Sequence, residues 1–198
     1  MTPLQILARL DVWQHYSGLE LHPGFLAARF GCSGDAAVLF PGSALVEGLA
    51  LVDLEDRANQ DRIIALEMLH LIVERSAVSL EQMVLLQRLL ATICVETLRE
   101  LLPAKAASIR RSGDDVFVGD GKFSVSIATT GPTSALLHFA MNVDATGAPV
   151  RTSDLQRLKL DVAVFAAAFL RRFAEEQLDI EAALGKVAPA HEVPEHGA

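Results

Sequence analysis

Two adjacent runs of alternating character, Lys122 to Thr130 and Thr133 to Asp144, constrain what this chain can fold into more than any other stretch. Only Gly131-Pro132 separates them, so a β-hairpin is the simplest arrangement that satisfies both. Period-2 alternation puts Lys122, Ser124 and Ser126 on one side of the first run, with Phe123, Val125 and Ile127 on the other. In the second run His138 and Asn142 stand opposite Leu137, Phe139, Met141 and Val143. With the apolar faces against helices, the polar faces are expected to line a groove.

The remaining chain supplies the covering elements. Leu4, Ile6, Leu7, Leu10, Val12 and Trp13 fit a short helix or an irregular packed arm. After a turn-rich region, Asp35 to Phe40 and Val46 to Val52 read as strands joined at Pro41-Gly42-Ser43. The spacing in RIIALEMLHLIVER predicts a helix over Arg62 to Arg75. Ser79 with Gln82 predicts a capping box opening a second helix that runs to about Leu102, before Pro103. Short strands follow near Ser108 to Arg111 and Asp115 to Val118, and a last helix spans Asp161 to Leu184, closed by Gly185. The fold class expected is α+β, with a mixed, mostly antiparallel sheet packed against helices.

A chain of 198 residues that is 51% hydrophobic suffices for one domain, expected over 1–187, with 188–198 as a flexible tail rich in Pro, Glu, His and Ala. A net charge of -8 opposes a general nucleic-acid or anionic-membrane surface. Cys32 and Cys94 are too few and too far apart for a zinc site or a disulfide framework, so reduced thiols are expected. No apolar run reaches membrane-span length, which suggests a soluble, cytoplasmic protein.

The segments RRSGDDVFV, GDGKFSVSIA and FAMNVD occur in the order of the motif-bearing strands of the biotin and lipoate protein ligase superfamily, which the central third of the chain resembles. The resemblance implies that catalytic fold, a small carboxylic acid or its adenylate as ligand, and ATP with Mg²⁺. It puts Lys122 on the family lysine, Asp114-Asp115 on an Asn-Asp pair, and Asn142 in the third motif. Through FGCSGDAAVLFPG, VDLED, MLHLIVE, GDDVFV, KFSVSIAT and GAPV, nearly the whole chain resembles domain-of-unknown-function family 366, a family known mainly from archaea. The ligases' basic, glycine-rich phosphate loop has an acidic counterpart here, where Asp35, Glu47 and Asp53 repel a triphosphate unless a metal intervenes. The cofactor therefore stays open.

Lys122 is the leading catalytic candidate, an ammonium able to hold a carboxylate or adenylate phosphate, against a solvated turn lysine. His138 is a candidate proton carrier or a hydrogen-bonded core histidine. Asp114 and Asp115 can orient Lys122 or a cation, or simply form a turn. One of Arg110 and Arg111, with Arg111 preferred, can clamp an anion. Asn142 can bind ligand, and Ser124 and Ser126 can leave room for one. Asp53, Glu55 and Asp56 form a candidate cation site or a helix cap, while Glu67, His70 and Glu74 would share a face of the predicted 62–75 helix. His191 and His196 have no meaningful spacing. Three functions follow: a ligase- or acyltransferase-like enzyme, a non-catalytic small-molecule binder on the same fold, and a structural homo-oligomer in which the polar strand face makes a subunit contact, a purpose an exposed hairpin edge can serve.

Overall fold

A computed structural model describes residues 4–187; the predicted tail with His191 and His196 lies outside them. The chain runs β1 (Gln5–Ala8), α1 (Phe25–Phe30), β2 (Ala36–Glu47), α2 (Leu54–Asn59), β3 (Arg62–Arg75) and α3 (Leu80–Leu101). It continues with β4 (Ile109–Ser112), β5 (Asp115–Val118), β6 (Gly121–Lys122), β7 (Ser124–Thr130), β8 (Ala135–Asp144), α4 (Leu155–Leu158) and α5 (Val162–Gly185). A five-stranded sheet has the order β1-β2-β3-β8-β7, and a small three-stranded sheet the order β4-β5-β6. Among the described strands β1 against β2 is the one parallel pair, so the α+β, mostly antiparallel expectation holds.

Local chemistry sets the element ends. Ser79 Oγ accepts the Gln82 N–H at 3.2 Å and Gln82 Oε1 accepts the Ser79 N–H at 2.7 Å, the reciprocal cap expected from the sequence. Ser79→Ala is expected to cost about 1 kcal/mol, seen as a lower urea midpoint with an unchanged denaturant slope. Asp161 caps α5 through the Val164 N–H at 2.9 Å. The β7–β8 turn is closed by the Gly131 N–H on the Ser134 carbonyl at 2.8 Å.

The sheet has a helix side and an arm side. On the helix side, Leu71, Leu137, Phe139 and Met141 pack with Leu90 and Cys94 of α3 and with Phe165, Phe169 and Phe173 of α5. Each fully buried phenylalanine contributes roughly 1.5–3 kcal/mol by leaving water. On the other side, Val38, Phe40 and Ile72 are covered by the segment that carries Tyr16, Leu21, Leu26 and Phe30.

Several local expectations change. The 62–75 segment is a strand in the middle of the sheet, paired on both edges with β2 and β8, and not a helix. Alternation along it separates Glu67 from His70 and Glu74, so the helical metal face does not form. Glu74 instead accepts the Gly24 N–H at 2.9 Å and the Ser134 hydroxyl at 2.8 Å. Gln5–Ala8 is an edge strand rather than a helix. β2 runs straight through Pro41-Gly42-Ser43 with a bulge between Gly42 and Ala44, where a turn was expected. Beyond Glu47 the predicted second strand gives way to a single 3₁₀ turn at Gly48–Ala50.

Candidate functional site

Lys122 stands where the chain changes sheets. It pairs with Phe117 of β5, while the next residue, Phe123, both donates to the Val116 carbonyl at 2.7 Å and accepts from the Asn142 N–H of β8 at 2.9 Å. That crossing restarts the alternation: Phe123 and Ser124 are both fully buried. From there Val125 and Ile127 lie opposite Ala140 and His138, whereas Ser124 and Ser126 lie opposite Met141 and Phe139. The expected polar face of β7 is thus inverted. Ser124 leaves no room for a ligand, because its Oγ is spent accepting the Val116 N–H at 3.0 Å.

The groove is nonetheless present, as a cavity of about 340 Å³. One wall is apolar, with Leu51, Ile63, Met68, Val125 and Ile127. The lining also carries five carboxylates, Asp53, Asp56, Asp61, Asp114 and Asp115, and the cations Arg62 and Lys122. Both cations are paired: Arg62 with Glu47 at 2.8 Å, and Lys122 Nζ with Asp115 Oδ1 at 3.0 Å. Burial holds the Asp115 carboxyl above the usual carboxylate range even though Lys122 pulls the other way. The Asp56 carboxyl is likewise raised, first by burial and then by neighbouring Asp53 and Asp61.

Other candidates brace this rim. Asp114 accepts from Arg88 at 3.1 Å, Gln87 at 2.9 Å and the Ser126 hydroxyl at 2.9 Å, tying the β4–β5 turn to α3 and β7. Asn142 lines the cavity, yet its Nδ2 donates to the Lys122 carbonyl at 3.0 Å and the Ser153 carbonyl at 3.1 Å. It positions the lysine strand. Arg111 is corrected: its guanidinium is exposed and donates to the Gly113 carbonyl at 2.5 Å, outside the cavity. Arg110 stacks on Phe117 with its guanidinium 4.3 Å from the ring centre.

The proposed metal set also does not converge. Asp53 caps α2, accepting the Glu55 and Asp56 N–H groups at 2.8 and 3.2 Å. Glu55 does not line the cavity that Asp53 and Asp56 share. Among the described residues no three His, Cys, Asp or Glu side chains are arranged to hold a metal ion. The ATP implied by the family resemblance fits poorly as well, because both rim cations are already neutralised and the 53–61 wall would repel the phosphates.

Tyr16 and His138 line the cavity floor, and His70 stands directly behind His138. His70 Nε2 lies 3.2 Å from the Gly42 carbonyl, and His70 Nδ1 lies 3.0 Å from His138 Nε2. A carbonyl can only accept, so neutral His70 carries its proton on Nε2, and His138 Nε2–H then donates to His70 Nδ1. Tyr16 stacks on His138 with ring centres 3.8 Å apart. Burial pushes His70 down to about 4 and His138 well below the usual imidazole range. His138 is therefore a neutral, fixed-tautomer acceptor, a poor proton carrier at neutral pH. The signal for Tyr16 was slight: it is the chain's single tyrosine.

Comparison with known proteins agrees with this architecture. A curated protein from Methanocaldococcus jannaschii, the uncharacterized protein MJ0805, is 29% identical over 96% of this chain and 85% of its own length. A solved protein of unknown function from Pyrococcus horikoshi superposes with a TM-score of 0.88 at 28% identity, covering 95% of this chain and all of that one, 100%. Biotin protein ligase from Aquifex aeolicus, in complex with biotin and ATP, superposes with a TM-score of 0.54 at 14% identity, covering 92% of this chain and 73% of that one. The last likeness shows a ligase-like fold. Residues 7–188 match the family described as "Domain of unknown function (DUF366)", and the chain belongs to that family.

Proposed function

We propose that this protein binds a small organic molecule in the cavity beside Lys122, on a ligase-like fold and without adenylating it. The observation that carries the reading is the Lys122–Asp115 pair at 3.0 Å on the rim of a half-apolar cavity. An apolar wall with a few convergent polar groups is the usual make-up of a small-molecule site. Against adenylation stands the net-acidic rim, whose two lining cations among the described residues, Arg62 and Lys122, are both held in ion pairs.

A second reading, acyl transfer on a small carboxylic acid, is favoured by one feature. Burial disfavours the Asp115 carboxylate, so an incoming carboxylate competes with it for the Lys122 ammonium that reaches the cavity. A thermal-shift screen of wild type and Lys122→Ala tests both, using lipoate, octanoate, biotin and a metabolite panel, each with and without ATP and Mg²⁺. The expected result is stabilisation by a ligand without ATP, weakened by Lys122→Ala. Stabilisation that requires ATP together with an acid would replace the binding reading with the enzymatic one.

A further inference from the structure

The floor of the cavity indicates what kind of molecule fits. Its tautomer is fixed: Gly42 O accepts from His70, His70 Nδ1 accepts from His138 Nε2, and His138 Nδ1 is left with a bare lone pair. His138 is 2% exposed and Nδ1 has no hydrogen-bond partner among the described residues. Tyr16 is 3% exposed, and its hydroxyl also makes no hydrogen bond among the described residues. Both residues line the cavity. Neither atom is sealed from solvent, so each opens into the cavity, where a ligand that supplies a matching partner takes the place of water.

The rim adds the same preference. Asp114 is filled by Arg88, Gln87 and Ser126, Asp115 by Lys122, and Asp53 by the α2 backbone. Asp56 alone of the semi-buried rim carboxylates has no side-chain hydrogen bond or ion pair among the described residues. The cavity therefore offers acceptors at floor and rim and holds its cations in ion pairs.

Resting on the cavity-binding reading above, we propose that the ligand is a small donor-rich nitrogen compound, an amidine or an amino-substituted heterocycle. Its ring or amidine N–H meets His138 Nδ1, its cationic N–H faces Asp56, and its body lies on Met68, Val125 and Ile127. The Tyr16 hydroxyl fixes the ring's orientation. A carboxylate or phosphate would meet lone pairs and carboxylates on both sides, which is repulsive.

Isothermal titration of the full chain with benzamidine and 2-aminobenzimidazole, against benzoate and octanoate, tests this, with ¹⁵N spectra of the histidines read in parallel. The expected result is saturable binding of the two nitrogen probes, about tenfold weaker in Asp56→Asn because one charge-assisted hydrogen bond is lost. The His138 Nδ1 resonance should move on binding, and Tyr16→Phe, which removes only a hydroxyl, should also weaken it. Binding of benzoate or octanoate without the nitrogen probes overturns the inference and leaves the cavity reading standing. So does nitrogen-probe binding that ignores Asp56→Asn and leaves His138 unmoved. Carboxylates, heterocycles and amines that all leave the melting temperature and the His138 resonances unchanged overturn both.

Discussion

Lowering the pH from 7 to 4 is expected to remove on the order of 3 kcal/mol of stability through His70 alone. The ring is fully buried, and its folded value is pushed from 6.5 down to about 4, chiefly by burial. Between those two values the unfolded chain binds a proton that the folded chain refuses. The stability is therefore fully present above 6.5 and is lost as the pH falls toward the folded value. The geometry explains the refusal. His70 Nε2 already donates to Gly42, so a new proton must enter at Nδ1, where the His138 N–H is seated at 3.0 Å. Two donors would then face each other. His138, lowered by burial and then by His70, adds a contribution of the same sign. Urea titrations at a series of pH values check this: between pH 6.5 and 4.5, stability should fall by about 1.4 kcal/mol per pH unit for each silent histidine. His70→Gln should flatten that slope even though it lowers stability at pH 7. An unchanged slope in the variant would mean that the proton is taken elsewhere.

The histidine relay is also the clearest case of what one sequence read alone conceals. Lys122, Asp114, Asp115, His138 and Asn142 lie within one continuous stretch, residues 114–142, and all five line the cavity or its rim. Local alternation and turn chemistry suffice to find such groups. Tyr16, His70 and Asp56 come from segments far away in the chain, and the sequence offers His70 and Asp56 only in other roles: the pairing of β3 with β8 sets His70 beside His138, and a bridge to Ala44 of β2 holds Tyr16 over it. β3 itself was unreadable as a strand for a physical reason. It sits between two strands, with helices on one face and the Tyr16 arm near the other, so both faces are apolar and the period-2 signal vanishes. Ile63, Leu66, Leu69 and Val73 then match a helical spacing by coincidence. α3 and α5 were legible because each has one wet face and a side-chain cap at its start. The inverted face of β7 has a local cause, the sheet crossing at Phe123, which breaks an alternation that looks continuous on paper.

Gly42→Ala is expected to be among the most damaging single substitutions, costing about 3 kcal/mol or more. A Cβ on Gly42 would stand 1.7 Å from the Gln14 carbonyl oxygen and 2.7 Å from its carbon. Both are backbone atoms, so no side chain can turn aside. The arm is fastened on both sides of this contact: the Gln14 N–H donates to the Pro41 carbonyl at 3.0 Å, and the Tyr16 N–H to the Ser43 carbonyl at 2.9 Å. Admitting a methyl group means giving up one or both bonds or displacing the β2 bulge. Either route disturbs the floor of the cavity, because Tyr16 travels with the arm and the Gly42 carbonyl is the acceptor that fixes the His70 tautomer. Two readouts should therefore fail together. The urea midpoint should drop sharply, and in whatever protein stays folded the ¹⁵N signature of the His138 Nε2–H tautomer should disappear. The same change at Gly24, where an added Cβ meets nothing within 4 Å, is the control. Its backbone is left-handed, so Gly24→Ala carries a strain cost on the order of 1 kcal/mol but should leave the His138 tautomer intact. A Gly42→Ala protein with near-normal stability and an unchanged tautomer would show that the arm does not cross at this glycine, and the acceptor floor argued from it would fail as well.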